Sequence, residues 1–348
     1  MTTQVTRQRV LMAALLGGAI AATAAFMGTA QAEGELNLYS SRHYDTDERL
    51  YSDFEEATGI TINRIEDSAN VLIERIRSEG ANSPADVLLT VDAGRLWAAD
   101  QEGLFQPISS STLEESIPDY LRHPDGHWFG FSKRARVIFY DKNEVTDPPQ
   151  TYEALADPKY KGQVCTRTGS NIYMLSLLAS IIEHKGEEAA EEWAKGVWEN
   201  RARDPEGGDT DQIRAIVSGE CDIAVANTYY FARALRKDVT DLSGQTDMVG
   251  WVFPNQDDRG THVNISGGGV LANAPNKDNA VKFLEYLASP EAQRYFAEGN
   301  DEYPVVAEVS LSAEVLGLGE FKRDTVALTS FGENQALAQQ IFDRVGFK

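Results

Sequence analysis

The stretch ELNLYSSRHYDTDERLYSDFEEATGITINRI, residues 35–65, places a strand, a helix and a second strand in close succession. Leu36–Tyr39 alternates apolar and polar side chains, which is typical of a strand. Asp47–Thr58 carries apolar residues at helical spacing, and Ile60–Ile65 alternates again after Gly59. Strand, helix and strand in this order predict parallel strands joined by a crossover helix. The opening therefore indicates an α/β fold.

The same alternation continues along the chain. We predict further strands at 85–91, 164–165, 221–226, 248–253 and 262–271, and helices at 71–79, 94–101 and 277–288. Residues 126–140 are rich in aromatic and β-branched side chains and predict a long strand that leaves the first lobe. Two α/β lobes joined by crossing strands predict a hinged cleft that binds a ligand. We assign residues 33–136 and 262–318 to the first lobe, and 137–261 and 319–348 to the second.

Composition restricts the possible partners. The chain has 348 residues, with 32 basic and 54 acidic side chains, a net charge of −22. Its 42% hydrophobic content is ordinary for a folded protein. A strongly negative chain repels phosphate backbones and anionic lipid, so nucleic acid and membrane surfaces are poor partners. A cationic ligand is favoured.

Residues 1–32 have the pattern of an export signal. Arg7 and Arg9 precede an apolar run over residues 10–25, and Ala30–Ala32 supplies small residues for cleavage. The alternative, a membrane anchor, needs roughly 20 continuous apolar residues, more than this run provides. We therefore expect a periplasmic protein, cleaved near Ala32 and without stable membrane insertion. Whether export proceeds by the general or the twin-arginine route stays open.

Two cysteines, Cys165 and Cys221, fit an oxidising compartment. They form either one disulfide or two buried thiols, and neither has the CxxC spacing of a thiolate metal site. The acidic segment 204–211 lacks the EF-hand positions, so we interpret it as a loop in which Asp209 or Thr210 caps the following helix. We interpret Gly267–Gly269 as a close backbone crossing. The histidines show no HExxH pattern and are interpreted as surface or structural residues: His123, His127, His184 and His262.

Tyrosines recur where predicted strands meet helices. Tyr173 and Tyr229 each follow a strand cysteine by eight residues, and Tyr230 follows directly. Equal offsets predict that two parallel strands of the second lobe bring these tyrosines to one sheet edge. The first lobe would bring His43 and Tyr44 across the cleft.

These tyrosines admit more than one chemistry. Several phenolates around one centre suit a hard, highly charged cation, of which ferric iron is the biological candidate. Aromatic rings can also form the wall of an organic-ligand pocket, and single tyrosines often serve only packing. Residue types and spacing alone leave these alternatives open.

Four segments carry a family resemblance: NLYSSRHYDTD, SPADVLLTVDAGRLW, SNIYMLSLLAS and ANTYYFARAL, beginning at residues 37, 83, 170 and 226. Together they resemble the periplasmic ferric-iron-binding proteins that supply ABC transporters, in particular the cyanobacterial FutA type. The resemblance implies a transferrin-like, type II periplasmic-binding-protein fold with iron between two lobes. It implies the ligands Tyr44, Tyr173, Tyr229 and Tyr230, with His43 as a variable fifth ligand.

The expected function is capture of Fe³⁺, with Fe²⁺ as the alternative valence, and its delivery by a monomer to an inner-membrane ABC permease. Four phenolates around Fe³⁺ leave a charge of −1, so a nearby arginine is expected: Arg134 or Arg233, with Arg42 a weaker candidate. We expect no enzymatic activity. The alternatives are an organic-cation or amino-acid binding protein, a secreted iron metalloenzyme, and an iron-buffering protein retained partly inside the cell.

Overall fold

The computed structural model describes residues 34–42, 44, 46–236, 242 and 244–348. The predicted export signal and His43 lie outside the described residues. The strands are β1 (Gly34–Ser40), β2 (Ile60–Glu66), β3 (Val87–Val91), β4 (Phe129–Asp141), β5 (Val164–Cys165), β6 (Ile223–Asn227), β7 (Val249–Val252), β8 (Val263–Val270) and β9 (Tyr303–Pro304). The helices are α1 (Asp47–Thr58), α2 (Ala69–Glu79), α3 (Ala93–Gln101), α4 (Ser111–Ser116), α5 (Ile172–Lys185), α6 (Glu187–Glu199), α7 (Asp209–Ser218), α8 (Thr228–Leu235), α9 (Lys277–Leu287), α10 (Pro290–Arg294), α11 (Ala313–Gly317), α12 (Ser330–Glu333) and α13 (Gln335–Val345).

The predicted strand–helix–strand opening is confirmed. Helix α1 has the predicted bounds and ends at Gly59, whose φ of 71° is left-handed and favours glycine. Strand β1 pairs with β2 in parallel, with Gly34 opposite Ile60. Leu50 and Phe54 of α1 are buried against this sheet, because their four-residue spacing places them on one helix face.

Strand β4 connects two parts of the sheet, whose order is β2-β1-β3-β8-β4-β6-β5. Up to Ala135, β4 pairs antiparallel with β8, and from Arg136 onward it pairs antiparallel with β6. Strands β5 and β6 are parallel, with Cys165 opposite Ala224. These pairings fit the predicted fold of two α/β lobes joined by crossing strands, although the lobe boundaries themselves stay a prediction.

The buried apolar residues form separate clusters rather than one core. One cluster packs β1, β3 and α9 together and includes Leu38, Leu88 and Phe283. Others lie around α5 and α13, and around β6 and α8. Separate cores on the two sides of the crossing strands allow each side to keep its own packing when a cleft opens or closes.

The interpretation of Gly267–Gly269 as a close backbone crossing is confirmed. These glycines belong to β8, which lies between β3 and β4. A Cβ on Gly268 would lie 2.6 Å from the carbonyl oxygen of Leu88, and one on Gly269 would meet the carbonyl oxygen of His127. Only glycine allows the backbones to approach this closely.

The predicted cap of the acidic loop is wrong. Helix α7 begins at Asp209 itself, with Gly208 as its N-cap. The carboxylate of Asp211 accepts a 2.5 Å hydrogen bond from the Gly208 N–H, which serves the helix end. Asp209 is instead fully buried and forms a 2.6 Å ion pair with Arg136. Burial of a carboxylate without a charged partner is costly, whereas the helix start already donates a hydrogen bond to Asp211.

Cys165 and Cys221 form a disulfide, so the alternative of two free thiols does not hold. Their Cα atoms are 6.0 Å apart, within the usual range for a disulfide. Within the described part of the chain, no helix is both long enough and apolar enough to cross a bilayer.

Candidate metal centre

Three tyrosine hydroxyls meet at one point. The phenol oxygen of Tyr229 lies 3.4 Å from that of Tyr44 and 3.4 Å from that of Tyr173. The ring of Tyr230 stacks on Tyr229, with centroids 4.2 Å apart and planes 31° apart. The structure therefore brings together all four tyrosines that the sequence singled out. Three of them meet through their hydroxyl oxygens, and Tyr230 joins through its ring.

The helix starts place the tyrosines of the second lobe. Tyr173 is the second residue of α5, and its N–H donates a 3.1 Å hydrogen bond to the N-cap side chain of Asn171. Tyr229 and Tyr230 are the second and third residues of α8. Because β5 and β6 are parallel, the helices that follow them begin near the same sheet edge, and this prediction from the equal offsets is confirmed.

Asn227 precedes α8 but does not cap it through its side chain. Its amide oxygen instead accepts a 3.2 Å hydrogen bond from Arg136, and its N–H donates to Asp209 at 2.7 Å. The start of α8 is thus held to β4 by a buried polar network, which fixes the position of the tyrosine pair.

Tyr44 enters from the loop between β1 and α1. Its carbonyl oxygen accepts a 2.9 Å hydrogen bond from the N–H of Asp47, the first residue of α1. Its ring meets the ring of Tyr229 edge to face, with centroids 6.3 Å apart. A residue that follows the first strand therefore contacts one that follows the sixth, 185 positions later.

Burial favours the neutral form of Tyr44, Tyr229 and Tyr230 by raising the pKa of each. Burial raises the pKa of Tyr44 first of all, and the neighbouring Tyr173 and Glu302 raise it further. Burial likewise raises the pKa of Tyr229 and of Tyr230, followed by the effect of the surrounding phenols. Several phenolates so close would repel one another, and a multivalent cation removes that repulsion.

Arginines surround the cluster. The guanidinium of Arg233 lies 4.9 Å from the ring centre of Tyr44 and 5.2 Å from that of Tyr229, and that of Arg134 lies 5.7 Å from that of Tyr173. Arg42, ranked the weakest candidate from sequence, is fully buried with its guanidinium 4.8 Å from the ring centre of Tyr44. Its direction in the loop could not be known without the fold.

Sequence analysis did not identify Glu302, whose carboxylate lies beside two of these arginines. Its carboxylate accepts a 3.1 Å hydrogen bond from Arg42 and one of 2.9 Å from Ser132, and it lies 3.9 Å from Arg134. Asp47 completes the pairing of Arg42, at 2.9 Å. Glu302 is 260 residues from Arg42, so no local signal could have revealed this contact.

A cavity of about 570 Å³ adjoins the tyrosines. Its lining includes three arginines and two tyrosines, Arg42, Arg95, Arg167, Tyr173 and Tyr230, together with the acidic residues Glu66 and Asp67. The guanidinium of Arg167 lies 5.5 Å from the ring centre of Tyr173. Arg167 therefore offers positive charge beside the ring of Tyr173, where an anion could accompany a bound cation.

The fold and this cleft define a two-lobed α/β binding protein with its ligand site between the lobes. A family model described as bacterial extracellular solute-binding protein matches residues 82–317. Iron uptake protein A1 of Synechocystis is 54% identical over 315 residues, 90% of this chain and 88% of that protein. Iron uptake protein A2 of the same organism is 51% identical over 318 residues, 90% of each chain.

Similarity to solved structures points to the same family as these relatives. A Trichodesmium protein described as FutA in complex with iron and citrate ligands superposes with a TM-score of 0.85 and 57% identity, covering 90% of this chain and all of that one. The chain belongs to the bacterial extracellular solute-binding proteins, and among them to the family of periplasmic ferric-iron-binding proteins. The type II periplasmic-binding-protein fold inferred from the resemblance is confirmed.

Proposed function

We propose that this protein captures Fe³⁺ in the cleft through the phenolates of Tyr44, Tyr173, Tyr229 and Tyr230, and delivers it to an inner-membrane ABC permease. The observation that carries the proposal is the convergence of three phenol oxygens, those of Tyr44 and Tyr173 each lying 3.4 Å from that of Tyr229. Oxygen atoms from separate elements that meet at one point form the donor set of a hard cation. The relatives, named for iron uptake, support the same cargo.

The surrounding charges support ferric iron in particular. Four phenolates and Fe³⁺ carry a net charge of −1, which is costly to bury without compensation. Arginines around the cluster offset it, Arg233 beside Tyr44 and Tyr229 and Arg134 beside Tyr173. The charge of Arg42, beside Tyr44, is already met by Asp47 and Glu302. Fe²⁺ in the same shell would leave −2, so the site favours the ferric ion.

Further ligands complete this proposal. His43, which directly precedes Tyr44, serves as the variable fifth ligand. The cavity beside Tyr173 and Tyr230 receives a carboxylate anion such as citrate, held by Arg95 and Arg167. A citrate ligand in the similar Trichodesmium structure supports this choice.

Iron binding closes the cleft. Tyr44 belongs to the first lobe and the other three tyrosines to the second, so a shared metal latches the lobes together. Release follows reduction to Fe²⁺, protonation of the phenolates, or opening by the permease, and the structure favours none of these routes over the others. The mature chain acts as a monomer in the periplasm after cleavage near Ala32.

The alternatives have less support. An organic-cation or amino-acid binding protein would present aromatic faces to its ligand, whereas here the hydroxyl oxygens converge. A secreted iron metalloenzyme would keep an open coordination position for a substrate, whereas four tyrosines together with an anion fill the shell. We therefore propose binding and transport without catalysis.

The deciding experiment is a visible absorption titration of the chelator-stripped protein with ferric citrate, combined with metal analysis. A saturable tyrosinate–iron band at one iron per chain is expected. If neither colour nor stoichiometric iron appears, the iron assignment is wrong, and a thermal-shift screen of organic cations and amino acids then tests the aromatic-pocket alternative.

A further inference from the structure

Away from the tyrosines, a second group of metal-ligating side chains meets beside β4. One ligand atom each from Asp100, His123 and His127 lies within 4.8 Å of the other two. The Nδ1 atom of His127 is 2.5 Å from Oδ1 of Asp100, and the Nε2 atom of His123 is 3.5 Å from Oδ2. One carboxylate thus contacts two imidazoles, with both of its oxygens engaged.

The backbone holds the two imidazoles in place. The His123 N–H donates a 2.9 Å hydrogen bond to the carbonyl of Trp128, and the Gly126 N–H donates one of 3.0 Å to the carbonyl of His123. These bonds close a short turn before β4. The rings of His123 and His127 are parallel within 1°, with centroids 4.5 Å apart. The turn therefore fixes the relative position of the two histidines.

The charge and accessibility of this group suit a cation. The carboxylates of Asp100 and Asp125 bring negative charge to the imidazoles. All three side chains are only partly buried, so an ion can reach them from solvent.

We propose that His123, His127 and Asp100 bind a divalent transition-metal ion of the zinc type, separate from the ferric centre. Two imidazoles and one carboxylate form a donor set for borderline divalent cations, whereas phenolates suit the harder Fe³⁺. Ligand atoms around tetrahedral zinc are about 3.3 Å apart, so the contact between His127 and Asp100, now 2.5 Å, opens while the most distant ligand atoms close in, and water takes the fourth position.

Binding has two identifiable costs: the direct contact between His127 and Asp100 is replaced by the ion, and a proton on His123 must move. The Nδ1 atom of His123 accepts a 3.1 Å hydrogen bond from the Asp125 N–H, so its proton is on Nε2. A metal ion at Nε2 moves the proton to Nδ1 and breaks this bond. Because the bond is exposed, water replaces it at little cost.

The proposed site and the tyrosine cleft are at different ends of α3. Asp92, the N-cap of α3, accepts hydrogen bonds of 2.7 and 2.9 Å from Ser176 of α5. Asp100 lies eight residues further along the helix, about 12 Å away at 1.5 Å per residue. The divalent ion is therefore expected to bind without displacing iron.

The test is calorimetric titration of the iron-loaded protein with ZnCl₂, followed by dialysis and metal analysis. One additional zinc per chain is expected, with the tyrosinate–iron band unchanged. His127→Gln and Asp100→Asn should each weaken zinc binding at least tenfold. His184→Gln is the matched control, because His184 pairs with Asp324 at 2.9 Å but is not part of the histidine pair; its zinc affinity should equal that of the unmodified chain.

Thermal unfolding and the iron band confirm that each variant is folded. The proposal is overturned if no additional equivalent of zinc binds, or if neither His127→Gln nor Asp100→Asn changes the affinity. Repeating the titration on iron-free protein separates this result from the ferric proposal, because loss of zinc binding in His127→Gln does not depend on whether the tyrosines bind iron.

Discussion

The hydroxyl of Tyr44 lies 3.4 Å from the hydroxyl of Tyr229, although one residue follows β1 and the other begins α8. This contact joins the two sides of the cleft through the atoms that the proposed mechanism assigns to iron. With neutral phenols, it is a hydrogen bond between hydroxyls. In the proposed mechanism the same oxygens become ligands of Fe³⁺, which adds to contacts that already join the two sides, such as that of Ser176 with Asp92.

Removal of one hydroxyl tests the ligand set. Tyr229→Phe should lower ferric affinity by more than about 100-fold, beyond the 10–100-fold loss typical of residues that only support a ligand. The apo protein should unfold at nearly the same temperature, because the ring remains. Tyr120→Phe is the control, since Tyr120 is 41% exposed and stacks on Arg323. Equal ferric affinity in Tyr229→Phe and Tyr120→Phe would contradict the assignment.

Iron loading should release protons. Tyr44, Tyr229 and Tyr230 have pKa values raised by burial, so all three are protonated in the iron-free protein between pH 5 and 9. Each phenolate that binds Fe³⁺ gives up one proton, so ferric affinity should rise with pH and fall on acidification. Proton release in a weakly buffered titration should reach at least about three per iron from these groups, after subtraction of a protein-free ferric citrate blank. A release near zero would mean that the phenols do not ligate iron.

Arg233 should support iron electrostatically. Arg233→Gln removes the positive charge beside Tyr44 and Tyr229, and we expect a loss of about tenfold in ferric affinity with the colour retained. Competition with a chelator measures the ferric affinity. Arg344→Gln, which removes an exposed arginine paired with Glu187 and Glu191, should leave the affinity unchanged. An equal effect in both variants would indicate a general charge effect.

Glu302 should matter mainly for stability. Glu302→Gln leaves buried Arg42 and Arg134 short of negative charge, which should lower the free energy of unfolding by about 3–5 kcal/mol. Urea unfolding of the apo protein measures the change. Glu298→Gln, at an exposed position four residues earlier, should change it by less than about 0.5 kcal/mol. Similar stabilities for the two variants would remove the structural role given to Glu302.

The disulfide should stabilise the fold without serving the site. Replacement of Cys165 and Cys221 by alanine opens a loop with a sequence separation of 56, worth about 4 kcal/mol in the chain-entropy model. Urea unfolding should show this loss, and addition of a reductant should destabilise only the unmodified protein. Ferric affinity should persist, since neither cysteine contacts the tyrosine hydroxyls. Loss of iron binding with unchanged stability would contradict the assignment of the disulfide to stability and not to the iron site.

Much of the fold follows from local patterns. The apolar spacing of residues 47–58 predicted α1 with its observed bounds, because a helix face and its glycine end are properties of a short segment. The equal offsets of Tyr173 and Tyr229 from the cysteines predicted the parallel pairing of β5 and β6. The capping of α7 was predicted wrongly, since the burial of Asp209 against Arg136 depends on a distant strand.

The sequence by itself therefore determined the α/β architecture, the tyrosines that meet and the acidic character that favours a cation, because these depend on periodicity, residue type and charge. Only the tertiary structure decided which charges surround the site. Glu302 reaches Arg42 across 260 residues, and His123 and His127 meet Asp100 only because a turn before β4 packs against the end of α3. Contacts between elements depend on how cores pack, and no local pattern records that.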